Sequence, residues 1–97
     1  LRFCPMTIAR MIRIEGKVQG VFFRDWATTA AQAIGVAGWI RNRRDGSVEA
    51  YVVGEPGLVD RFADRLRGGS PASRVDRIDV AEAEAQAIDG FTRRPTA

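Results

Sequence analysis

The order of strand and helix signals along these 97 residues predicts an α+β domain of the split βαβ kind. In that arrangement (βαββαβ) two helices cover one face of a four-stranded antiparallel sheet. Three observations carry the prediction. Alternating apolar residues mark the first and third strand stretches, whereas apolar residues spaced by three and four mark the two helical ones. Asp45-Gly46 stands between the second and third strand stretches, where it signals a hairpin. A helix pattern follows the first strand and another follows the third, so the two halves of the chain echo each other.

Residues 7–18 read as the first strand, with Ile8, Ile12 and Ile14 on one face. Residues 22–34 read as the first helix. Its i, i+4 row of Phe22, Trp26, Ala30 and Ile34 is expected to be the buried stripe, and Gly35 stands where a C-terminal cap belongs. At this spacing Phe22, Phe23 and Trp26 read as core, with a stacking platform for bases as the alternative. Residues 36–42 form the second strand, 43–46 the turn and 47–53 the third strand, in which Val48, Ala50 and Val52 alternate with Glu49, Tyr51 and Val53. A second helix opens at 54–57 and runs through Leu58, Val59, Phe62 and Leu66, its wet face carrying Asp60, Arg61, Asp64, Arg65 and Arg67. Gly68-Gly69-Ser70-Pro71 ends it.

Residues 75–83 are expected to be a fourth strand, irregular at its start. Residues 82–90 make an acidic, alanine-rich return. Phe91-Thr92-Arg93-Arg94 is a short extra edge strand, because Pro95 cannot donate to a ladder. The arrangement is ferredoxin-like. Residues 1–97 make one domain. Residues 1–5 are expected to be an extension without a role in the fold, since Met6 stands where the strand pattern begins and Leu1 is no initiator.

A chain of this length holds one modest core, burying roughly 60–65% of the unfolded surface. Its 45% hydrophobic and 28% charged residues suit a soluble globular protein. No apolar run approaches the ~20 residues that span a bilayer, and residues 1–5 lack the apolar stretch of a secretory signal. One cysteine, Cys4, excludes an internal disulfide and suits a reducing cytoplasm. With no histidine to serve as its base, Cys4 reads as inert. The net charge is +3, and all but one of the basic residues are arginines. An arginine-rich gene composition accounts for this; a mildly positive surface would also draw anionic ligands. A monomer is the default for so small a domain.

Gly16-Lys17-Val18-Gln19-Gly20-Val21-Phe22-Phe23-Arg24 joins the end of the first strand to the start of the first helix. Main-chain N–H groups are free at a first helical turn, and the helix dipole adds positive potential there. The two glycines allow a tight turn and a close approach to a ligand. Arg24 falls in the first turn, where a cation is disfavoured by about 0.3–1 kcal/mol. Either it points to solvent or pairs with a carboxylate such as Asp25, or a bound anion sits between its guanidinium and the loop amides. Asn42 reads either as a turn residue before 43–46 or as an amide that holds a water. With no histidine and no Cys/His/Asp cluster at metal spacing, any reaction must proceed without imidazole, metal or covalent thiol. An already activated substrate would allow that, since positioning and charge stabilisation suffice.

The loop Gly16-x-Val18-Gln19-Gly20-Val21-Phe22-Phe23-Arg24 is followed by Gly35-x-x-Gly38-Trp39-Ile40-x-Asn42-x-x-Asp45-Gly46-Ser47-Val48-Glu49 and then by Gly69-Ser70-Pro71-x-Ser73-x-Val75-Asp76. These three blocks, in order and spanning about residues 14–80, resemble the acylphosphatase family. The resemblance implies metal-independent hydrolysis of the carboxyl–phosphate bond of small acyl phosphates, giving carboxylate and inorganic phosphate. Arg24 would bind the phosphoryl group and Asn42 would orient the attacking water. The amides of Lys17, Val18, Gln19, Gly20 and Val21 would form the cradle. No cofactor, metal or phosphoenzyme is implied, and inorganic phosphate would be both product and competitive ligand. Gly46, Ser70 and Pro71 match as structural residues. The chain departs from the family where a closing apolar strand is usual, having Thr92-Arg93-Arg94-Pro95 after Phe91.

Two other readings stand beside this one. A ferredoxin-like RNA-binding module would need paired aromatics on its central strands, and the third strand offers one, Tyr51. The other is a non-catalytic acylphosphatase-like domain, of the kind in maturation proteins that use carbamoyl phosphate. The chain stops where the domain ends, which favours a free-standing enzyme over that reading.

Overall fold

A computed structural model describes residues 7–97. The expectations for residues 1–5 and Cys4 fall outside the described residues. Seven elements follow in order: β1 (Ile8–Lys17), α1 (Phe23–Ile34), β2 (Ala37–Asn42), β3 (Val48–Gly54), α2 (Pro56–Gly68), β4 (Arg74–Ala83) and β5 (Phe91–Arg94). The strands lie side by side as β4-β1-β3-β2-β5. The sheet therefore has five strands, not four. β1 pairs antiparallel with β3 and β4, and β2 antiparallel with β3, whereas β5 runs parallel to β2. A short fifth strand forms because Phe91 is buried, its ring meeting Phe62 edge-on with centroids 5.3 Å apart.

Period-two alternation sorts the sheet into two faces. Ile12, Ile14, Ile40, Val48, Ala50 and Val52 form one core with Phe23, Ala27 and Ala31 of α1 and Val59, Phe62 and Leu66 of α2. The other face holds a smaller cluster of Ala9, Trp39, Tyr51 and Val53. The 84–90 return crosses it. The Tyr51 hydroxyl donates to the carbonyl of Glu84 at 2.5 Å and accepts from the N–H of Gln86 at 2.9 Å. The guanidinium groups of Arg41 and Arg94 each stand 4.8 Å from the Trp39 ring centroid.

The buried stripe of α1 differs from the expected one. Phe22 is exposed and Trp26 and Ile34 are only partly buried, while Ala30 is buried as expected and Phe23, Ala27 and Ala31 face inward beside it. The cause is local: Phe22 adopts a left-handed conformation (φ 59°) and ends the loop, so the helix begins one residue later and its inward face rotates. Alanines on that face let α1 lie close to the sheet. The first loop also starts where the sequence requires glycine. At Gly16 (φ 135°) a β-carbon would run into the carbonyl oxygen of Arg74 on β4, and the β1–β4 register shifts between Glu15 and Gly16.

Candidate active site

The loop from Val18 to Phe22 arrives at the N-terminal end of α1 beside the C-terminal end of β2. Asn42 has the same parity as Ile40, which faces the helices. One step past the covered core, that parity points Asn42 toward the start of α1. Arg24 and Asn42 accordingly line one cleft of about 280 Å³. Val18 and Gly20 of the loop line it too, as do Phe22, Phe23, Asp25 and Arg93.

Among the described residues, no main-chain acceptor takes the N–H groups of Gln19, Gly20, Val21 or Phe22. The N-cap of α1 has no side-chain hydrogen bond either. Unsatisfied donors gathered at a helix start are suited to an anion. Of the expected cradle residues, Lys17 pairs with Arg74 at the end of the β1–β4 ladder, and the side chain of Val18 is buried in the core.

Gln19 has a second part, which local pattern did not reveal. Its carboxamide nitrogen donates to the carbonyls of Arg43 at 2.7 Å and Ser47 at 2.8 Å. It thereby ties the loop to the hairpin that carries Asn42. The hairpin is closed by Asp45, whose carboxylate accepts the Ser47 hydroxyl at 2.6 Å and the Ser47 N–H at 2.9 Å. Those two hydrogen bonds, with Arg13 and Arg43 nearby, hold the Asp45 carboxyl below its usual value.

Asn42 is fixed from two sides. It pairs with Val48 in the β2–β3 ladder, and its main-chain oxygen accepts the N–H of Ala97 at 3.0 Å. Its side-chain oxygen Oδ1 is buried and has no hydrogen-bond partner among the described residues. A buried acceptor of this kind is costly until a donor meets it.

Arg24 donates through one guanidinium nitrogen to the carbonyl of Arg94 at 3.2 Å. It does not pair with Asp25. That carboxylate meets Arg93 of β5 at 2.6 Å, which puts a second guanidinium on the cleft wall. Alternation in Phe91-Thr92-Arg93 was the available signal, since it sets Arg93 on the same face as Phe91. The parallel pairing that carries that face up to α1 had no local signature.

A family model described as acylphosphatase matches residues 10–93. The chain belongs to the acylphosphatase family. A relative named acylphosphatase from Rhizorhabdus wittichii is 51% identical over 92 residues, covering 95% of this chain and 93% of the relative. Among solved structures, the acylphosphatase from Coxiella burnetii superposes with a TM-score of 0.87 at 28% identity, covering 91% of this chain and 93% of that one. The acylphosphatase from Bacillus subtilis superposes at 0.85 with 34% identity, covering 92% and 99%. The ferredoxin-like fold and the hydrolase class of acylphosphatases follow for this chain. So does a small acyl phosphate as the kind of substrate, with phosphate as product. None of the described helices is long and apolar enough to cross a membrane.

Proposed function

We propose that the acylphosphatase reaction of this chain takes place in the cleft shared by Arg24 and Asn42, without a metal. The phosphoryl group sits against the N–H groups of the 17–21 loop and the Arg24 guanidinium, whose fork matches two phosphate oxygens. The Asn42 carboxamide holds a water in line with the bond to be broken. The water oxygen attacks phosphorus, and the bond from phosphorus to the acyl oxygen breaks. Its electron pair leaves on the carboxylate, which needs no general acid. The water's proton ends on inorganic phosphate or solvent. The observation that carries this reading is that Asn42, whose buried Oδ1 has no hydrogen-bond partner among the described residues, lines the same cleft as Arg24. On this reading its carboxamide turns into the cleft to meet a water O–H. Positioning and preset charge do the chemistry, which suits a chain with no histidine.

On the same reading the protein works as a cytoplasmic monomer that does not bind nucleic acid. In support, Trp39 and Tyr51 are buried beneath the 84–90 return and offer no stacking surface for bases. The test is release of inorganic phosphate from benzoyl phosphate and from carbamoyl phosphate, with added phosphate as inhibitor. Hydrolysis of benzoyl phosphate with competitive inhibition by phosphate supports the reading. Turnover of carbamoyl phosphate alone would favour a domain dedicated to that substrate.

A further inference from the structure

Phe22 is the only non-glycine residue with a positive φ among the described residues. Its side chain lines the cleft yet is 80% exposed, whereas its neighbour Phe23 is buried. The fold asks for neither property. A left-handed turn at this point is easier for glycine or asparagine than for a bulky aromatic. The core makes no use of the ring. Val80 is the other large apolar side chain that is exposed among the described residues, and it lies on β4 at the opposite edge of the sheet. Of the other side chains lining the cleft, those of Arg24, Asp25 and Arg93 are charged and that of Asn42 is a carboxamide, while Val18 and Phe23 are turned into the core.

We infer that Phe22 is a specificity-determining residue of the cleft, its ring receiving the acyl group of the substrate. The inference rests on the proposed binding of the phosphoryl group in this cleft. With that group against the loop amides, the acyl group is the part of the substrate that extends toward the mouth. A cleft of about 280 Å³ leaves room beyond a phosphoryl group. An exposed aromatic face there favours aromatic or long apolar acyl groups over a bare acetyl group. The contact is the same before and during reaction, so it acts on KM rather than kcat.

The test compares wild type, Phe22→Asn and Phe22→Tyr on benzoyl phosphate and acetyl phosphate, with inorganic phosphate as competitive inhibitor. Asparagine tolerates the left-handed backbone, so the loop keeps its shape. The expected result for Phe22→Asn is a roughly tenfold higher KM for benzoyl phosphate with kcat unchanged. Its acetyl phosphate KM and phosphate inhibition constant should stay within about twofold, and Phe22→Tyr should resemble wild type. Equal losses on both substrates and on phosphate would overturn the inference, because Phe22 would then be shaping the loop. So would no change on any of the three. A wild-type protein that hydrolyses neither substrate overturns the underlying assignment of the cleft, an outcome distinct from both.

Discussion

The Asp25 carboxylate on the first turn of α1 meets the Arg93 guanidinium on β5 at 2.6 Å, bypassing Arg24 beside it in sequence. On the wall of the proposed anion site this carboxylate would repel the phosphoryl group that Arg24 is proposed to bind, and Arg93 would offset that repulsion. Both side chains are about half exposed, so solvent limits the effect. Arg93→Ala is expected to raise KM and the phosphate inhibition constant about two- to fivefold, with kcat near wild type and the difference fading in high salt. Adding Asp25→Asn to that variant should restore both values. Steady-state kinetics at two ionic strengths check this; an unchanged KM in Arg93→Ala would refute it.

Asn42→Ala removes the group proposed to hold the attacking water and leaves the loop and Arg24 in place. Turnover should fall by about two to three orders of magnitude, as for other single oriented polar groups in active sites. The inhibition constant of inorganic phosphate should change little. Equal losses in turnover and phosphate affinity would make Asn42 a phosphate ligand instead.

Gln19→Leu keeps the side chain's bulk and deletes its two hydrogen bonds to the carbonyls of Arg43 and Ser47. Each carbonyl keeps a main-chain donor, the Gly46 N–H on Arg43 and the Arg43 N–H on Ser47, so the loss is that of two net hydrogen bonds, about 1–3 kcal/mol together. In a domain of this size that lowers Tm by several degrees, at about 4–8 °C per kcal/mol. Activity at low temperature should also fall, because the loop is no longer tied to the strand bearing Asn42. Thermal denaturation followed by circular dichroism, paired with an assay at low temperature, separates the two effects.

Acid should loosen the hairpin. The Asp45 carboxyl is held below its ordinary value of 3.8, chiefly by the Ser47 hydroxyl. A depressed carboxyl adds stability that is fully present above the ordinary value and lost as pH falls through the folded one. The Tm advantage of wild type over Asp45→Asn should therefore be constant above about pH 5 and shrink as pH falls below about 4. Thermal melts of both proteins from neutral pH downward measure it; an advantage that persists unchanged at the acid end would exclude this origin.

What could be read from the residues is what short-range pattern encodes. The strand–helix order, the Asp45-Gly46 hairpin and the glycine-bounded loop are each written within a few neighbouring residues. That Arg24 and Asn42 belong to one site was implied by the family resemblance, since local pattern left each of them open; the fold brings both to one cleft. The inward face of α1 could not be followed locally, since one left-handed residue, Phe22, shifts the helix start and turns the face. The neighbourhoods of Gln19 and Arg93 are long-range. Gln19 reaches carbonyls 24 and 28 residues away, and Arg93 meets α1 only because β5 runs parallel to β2 after the 84–90 return. Burial of Tyr51 depends on that same return, which alternation in β3 does not foresee.

The central claim is that main-chain N–H groups and the fork of one guanidinium, Arg24, hold the phosphoryl group. Phosphate release from benzoyl phosphate by wild type and Arg24→Lys, each with excess chelator, tests it most directly. The expected result is wild-type turnover indifferent to chelator and a loss of at least about a hundredfold in kcat/KM for the lysine variant, because a point charge does not reproduce the fork. A lysine variant that keeps most of the wild-type rate, or a wild-type rate abolished by chelator, would contradict it.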